Sequence, residues 1–135
     1  MLYTLDASAW VRLFTGDGPV APSLERALLE VDRGQASLVA PELILVEAAH
    51  ALGRKRQLGI LSTDEEARLW RDMRALPLDL LPAAEHIEAA RELASAHGVS
   101  VYDALYLAVS EHTGAPLLTA DDELLRLAVK LGIGA

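Results

Sequence analysis

The chain opens Met1-Leu2-Tyr3-Thr4-Leu5-Asp6, an apolar run with β-favouring Tyr3 and Thr4 that stops at an acid. Such a run reads as a short buried strand. Similar runs recur at Ser37-Leu38-Val39-Ala40, at Leu78-Asp79-Leu80-Leu81 between Pro77 and Pro82, and at Leu117-Leu118-Thr119. Between them the apolar positions change to helical spacing. Ala7–Phe14 reads as a short helix broken by Gly16-Asp17-Gly18-Pro19, and Ser23–Val31 as another ending before Gly34. Pro41 suits a helix start, and apolar positions continue to Leu52, ahead of Gly53 and Arg54-Lys55-Arg56. Ser62-Thr63-Asp64-Glu65 has capping-box spacing before a helix to about Arg74. Ala83–His97, Ser100–His112 and Asp122–Leu131 complete the helices, with Gly98, Gly114 and Gly132 after them. Apolar strands alternating with helices imply a parallel sheet covered by helices on both faces, an α/β fold.

The length of 135 residues suits one domain spanning 1–135, and 52% apolar residues supply a real core. There is no cysteine, which excludes a disulfide scaffold, a thiol nucleophile and any metal site built on thiolates. Lys and Arg number 12 against 20 Asp and Glu, a formal net charge of −8. That balance argues against nucleic-acid binding through overall positive charge, so any such contact needs a local reversal of sign. No stretch approaches the roughly 20 apolar residues of a membrane span. The N-terminus carries no basic region followed by a long apolar run, so no signal peptide is expected, and a soluble cytoplasmic protein is.

Most acids read as solvated helix faces or first-turn charges, Asp64, Glu65, Glu66, Glu85, Glu88 and Glu92 among them. Four fit that account less well. Asp6 and Asp121 each follow a strand, where ligands bind in open α/β sheets. Both also have structural readings: Asp6 as a helix cap in competition with Ser8, and Asp122 as a better cap than Asp121 for the last helix. Glu47 interrupts Leu43-Ile44-Leu45-Val46 and Ala48-Ala49, an apolar setting that is costly for a carboxylate without a cation or donors. Asp103 lies in a first helical turn, where it answers the dipole and forms a box with Ser100. Four converging carboxylates repel one another, and a hard divalent cation removes that repulsion. Oxygen ligands without cysteine favour Mg2+ or Mn2+ over zinc. His50, His86, His97 and His112 show no paired metal spacing and read mostly as surface groups.

The ordered set of segments resembles the PIN domain, and more narrowly the VapC-type toxins of toxin–antitoxin pairs. Tyr3-Thr4-Leu5-Asp6-Ala7-Ser8 is similar to that family's strand ending in Asp-x-Ser, and Pro41–Glu47 to its helix with an inward Glu. Val101-Tyr102-Asp103-Ala104 resembles its Tyr-Asp-Ala segment, and Leu117-Leu118-Thr119-Ala120-Asp121 its Thr-x-Asp strand end. The resemblance implies a sheet of about four or five parallel strands between helices. It implies an acidic quartet of Asp6, Glu47, Asp103 and Asp121, supported by Ser8 and Thr119. The chain ends at Gly132-Ile133-Gly134-Ala135, which leaves little or no final strand.

The expected activity is hydrolysis of RNA with Mg2+ or Mn2+ held mainly by Asp6, Asp103 and Asp121, Glu47 serving as a ligand, directly or through water, or as a base. The resemblance also implies a separate antitoxin protein and a homodimer. Arg12 and the triplet Arg54, Lys55 and Arg56 are candidate contacts for RNA phosphates, although a basic triplet also suits a helix C-terminus. The alternative function is a non-catalytic binding module silenced by a partner, with Ser23–Val31 and Pro41–Leu52 walling a groove for a partner helix. A phosphoryl-acceptor receiver domain is disfavoured. It requires a lysine near the last strand, where this chain has Asp121-Asp122 and its nearest lysine, Lys130, lies inside the last helix.

Overall fold

A computed structural model describes all of residues 1–135. Strands and helices follow in the order β1 (Leu2–Leu5), α1 (Ala7–Thr15), α2 (Pro22–Asp32), β2 (Ser37–Pro41), α3 (Leu43–Gln57) and α4 (Thr63–Ala75). Then come β3 (Asp79–Leu81), α5 (Ile87–His97), α6 (Val101–Thr113), β4 (Leu117–Leu118) and α7 (Asp122–Lys130). The strands form one parallel sheet in the order β3-β2-β1-β4. In register, Thr4 stands opposite Val39 on one side and Leu117 on the other. The C-terminus adds only a bridge from Leu117 to Gly134, in line with the short tail.

The two faces of the sheet follow from the alternation of side chains along each strand. Leu38 and Ala40 of β2 join Leu5, Trp10, Ile44, Leu52 and Met73 in the main core. Val39 between them packs with Val109 of α6 instead. Helices α1, α3 and α4 therefore lie on one face, with α6 on the other. Helix α5 packs on α6 through Ala90, Ala104 and Ala108, whose small side chains allow close approach.

Several sequence boundaries shift. Pro41 closes β2 rather than opening a helix, since it needs no backbone N–H at that position. Helix α3 runs through Gly53 to Gln57, so the basic triplet sits in its last turn. A glycine inside a helix costs only about 1 kcal/mol relative to alanine, and buried Leu52 beside it secures the turn. The stretch 83–97 divides into a 3-10 turn at Ala83–Glu85 and α5, with His86 between them. The expected groove between Ser23–Val31 and Pro41–Leu52 does not form, because α1 and α4 are the helices packed on α3. Helix α2 instead borders a cleft of about 700 Å³ lined by Glu25, Leu28, Leu29, Val31, Asp32, Leu76 and Pro77. No helix is long and apolar enough to cross a membrane.

The burial pattern sets a contrast on α3. Leu52 is 1% exposed and Leu58, just past the helix, is 67% exposed. Leu52→Ala should lower unfolding free energy by about 2–5 kcal/mol. Leu58→Ala should change it by less than about 0.5 kcal/mol, and urea titrations of both variants measure the difference.

Candidate active site

The sheet order reverses between β1 and β4. The chain moves from β1 through β2 to β3, then returns to the opposite side of β1. Such a switch point opens a crevice beyond the carboxyl ends of the two strands. Asp6 directly follows β1, and Asp121 lies three residues past the end of β4. Both acids border that crevice because the topology leads their strands there.

Asp6 is 4% exposed. It is the N-cap of α1, with Oδ1 accepting from the Ala9 N–H at 2.9 Å. Ser8 does not compete for the cap; its hydroxyl donates to the same Oδ1 at 2.8 Å. The Thr119 hydroxyl donates to Oδ2. Each hydroxyl has a single proton, and both are spent on Asp6, so the 3.2 Å approach of Ser8 Oγ to Thr119 Oγ1 is a contact of two acceptors. Ser8 Oγ accepts from the Ala120 N–H at 3.0 Å, and Thr119 Oγ1 from the Asp121 N–H at 3.1 Å. Asp121 caps α7, accepting from the Glu123 and Leu124 N–H groups. Asp122, the cap expected from sequence, is the first helical residue instead.

Asp103 occupies the first turn of α6, where its N–H donates to Ser100 Oγ at 3.1 Å. Glu47 projects from the middle of α3, half-buried. Electrostatics ties the set together. Burial pushes the Asp6 carboxyl up to about 6 against three hydrogen bonds that pull it down, and the charge of Asp103 pushes it further up. Burial also raises Glu47, again with Asp103 adding to the rise. Asp103 itself is raised by burial and then by Asp121. Asp103 is thus the hub of the four acids. None of them forms an ion pair with Lys or Arg; the chain's ion pairs all lie elsewhere.

The donor set suits a hard divalent cation. It is all oxygen, it carries several negative charges without a counter-ion, and Asp6 uses three of roughly four carboxylate lone-pair sites on the protein. No three His, Asp or Glu side chains form a ready-made metal cage. The acids perturb one another without closing around a point.

Sequence reasoning missed Tyr106. Its hydroxyl donates to Glu47 Oε1 at 2.6 Å, and its ring is 2% exposed. The signal was available: a buried phenol needs an acceptor, and Tyr106 stands three residues after Asp103 on one helix face. The basic candidates are largely engaged inside the chain. Arg12 Nε and Lys55 Nζ share Asp17 at 3.1 and 2.6 Å, and Arg56 Nε meets Glu66 at 2.8 Å. Arg54 alone among them has no acidic partner. His86 is buried, not a surface group, and packs edge-on against His112 with ring centroids 5.1 Å apart.

Fold and site together define a doubly wound α/β protein with a cluster of acids at its switch point that no Lys or Arg pairs. The chain belongs to the PIN-domain family, whose model matches residues 3–130. It is similar to Ribonuclease VapC3 of Pyrobaculum aerophilum, with 34% identity over 92% of each chain. The fold is that of PAE2754 from Pyrobaculum aerophilum (TM-score 0.68, 24% identity, 98% of this chain and 90% of that one). It is also that of VapBC2 from Rickettsia felis, solved bound to a DNA fragment from its promoter (TM-score 0.63, 15% identity, 93% and 92% of the two chains).

The raised Asp6 carboxyl has a stability consequence for the metal-free protein. Its pKa is about 6 folded and roughly 3.9 unfolded, so the folded state binds more protons between those values. Unfolding free energy should therefore fall as pH rises from about 4 to about 7, by about 3 kcal/mol from this group. Chemical denaturation in chelator across that range should show the fall, and Asp6→Asn should reduce it, leaving the part that the raised Glu47 and Asp103 carboxyls contribute in the same direction. An equal fall in both proteins would exclude Asp6 as the cause.

Proposed function

We propose that this chain hydrolyses phosphodiester bonds in RNA, as the toxin of a toxin–antitoxin pair, using Mg2+ or Mn2+ at the acidic pocket. One observation carries the reading. Four carboxylates from the end of β1, from α3, from α6 and from beyond β4 come within electrostatic reach of one another, Asp103 acting on buried Asp6 and half-buried Glu47 and Asp121 acting on Asp103, with no Lys or Arg paired to any of them. The similarity to a ribonuclease at 34% identity over nearly the whole chain supports it. The likeness in fold to a VapBC protein is consistent with a separate antitoxin as partner. The same reading takes residues 1–135 as one domain, working as a homodimer in the cytoplasm.

Asp6, Asp103 and Asp121 would hold the cation. When bound, it lowers the pKa of a coordinated water and neutralises charge on the non-bridging phosphate oxygens. Glu47 either completes the cation site or accepts the proton of the attacking water, whose oxygen bonds to phosphorus as the ester oxygen leaves. Ser8 and Thr119 keep the Asp6 carboxylate in one orientation through their hydroxyl donors. The N-termini of α1, α6 and α7 lie beside the acids, and their partial positive charge tempers the repulsion.

Asp6→Asn and Asp103→Asn each keep side-chain shape and remove a charge. Each should lower cleavage of single-stranded RNA in Mg2+ or Mn2+ by at least about 100-fold, and chelator should abolish cleavage by the unaltered protein. Sequencing the cut ends of a defined RNA pool gives the rate and the sites together. Full cleavage by either variant would sink the proposal.

A further inference from the structure

We propose that Tyr106 is a positioning residue for the acidic pocket, holding Glu47 of α3 at a fixed place relative to Asp103 of α6. The inference rests on the metal-dependent reading above and extends it to a residue outside the acidic set. Tyr106 Oη donates to Glu47 Oε1 at 2.6 Å, 59 residues away in sequence. Glu47 Oε2 has no partner within the protein. One carboxylate oxygen is thus spent on the scaffold and the other is left for chemistry.

The rigidity of the arrangement comes from Tyr106. Its ring belongs to the main core with Trp10, Ile44 and Leu117, so its hydroxyl has little freedom to move. Glutamate has three rotatable bonds and is slow to settle in one geometry unless something holds it. Asp103 and Tyr106 stand three residues apart on α6, so they share a face of the same rigid element. The spacing between Asp103 and Glu47 is therefore set by a helix, a ring and one hydrogen bond. Supporting contacts of this kind, placed on helices, hold a ligand set near its working geometry. A buried phenol packed only for volume would serve as well without its hydroxyl, and this hydroxyl spends its one proton on Glu47.

Mn2+ titration of the RNA-free protein by calorimetry tests the role. The proteins compared are the unaltered chain, Y106F, E47A and the double variant Y106F/E47A. Y106F keeps the ring and so the packing, and circular dichroism verifies the fold. Y106F should weaken Mn2+ binding roughly 10-fold or more in the Glu47 background. It should add no further loss in the E47A background, because the side chain it acts through is gone. Unchanged Mn2+ affinity in Y106F, or the same loss in both backgrounds, would overturn the inference and leave the metal reading intact. An unaltered chain that takes up no Mn2+ would overturn the metal reading and this inference together.

Discussion

Asp6 is a carboxylate sealed from water with no cation beside it. Such a group costs several kcal/mol unless donors meet it. The donors come from two directions: the Ala9 N–H and Ser8 hydroxyl from the first turn of α1, and the Thr119 hydroxyl from the end of β4. The carboxyl therefore joins the start of the first helix to the end of the last strand, across the line where the sheet order reverses. Thr119 passes the connection on, since its oxygen also accepts from the N–H of Asp121. Asp6, Thr119 and Asp121 thus form one continuous chain of hydrogen bonds on the β1–β4 side.

Capping and site formation are the same event here. Asp6 and Asp121 are N-caps of α1 and α7, and Asp103 sits in the first turn of α6. For an isolated helix, each choice is explained by orphan N–H groups and the dipole alone. The parallel topology brings these helix starts to one edge of the sheet, so satisfying the helices also collects negative charge at one place. The structural and functional explanations of these acids do not compete. The helix ends lower the cost of assembling the charge; burial first, and mutual repulsion after it, still raises Asp6, Glu47 and Asp103, and a cation would relieve both.

The parallel sheet, its apolar strands and the helix sequence were legible because period and punctuation are local signals. The four acids were legible for a different reason: each broke an apolar pattern or ended one. Local chemistry ranked Asp122 above Asp121 as the cap and the structure reverses the order, because both residues are competent and only the path of the chain after Thr119 decides. It also could not say which helices are neighbours. The expected groove between α2 and α3 failed because α1 and α4 pack on α3, a matter of three-dimensional order that periodicity does not encode. Tyr106 was hidden inside an apolar run, where a phenol reads as core until its hydroxyl partner is known. His86 was missed likewise: a histidine near a helix start reads as exposed, whereas here it is buried and packs against His112.

The net charge of −8 bears directly on how such a protein could handle a polyanion. Overall attraction is absent, and the basic side chains nearest to a candidate patch are mostly committed. Arg12 and Lys55 converge on Asp17, tying the α1–α2 connection to the end of α3, and Arg56 meets Glu66 of α4. These pairs are partly exposed, so each contributes little to stability, but each removes a cation from the pool open to phosphate. On the proposed function, attraction to a phosphate must then come from the pocket, with the cation reversing the sign of a site that otherwise repels. Few Lys or Arg contacts mean little counter-ion release, hence a shallow dependence of RNA binding on salt and a strong dependence on the divalent cation. An acidic chain acting on RNA is consistent on those terms: the negative charge that repels the substrate is the charge that recruits the ion to bind it.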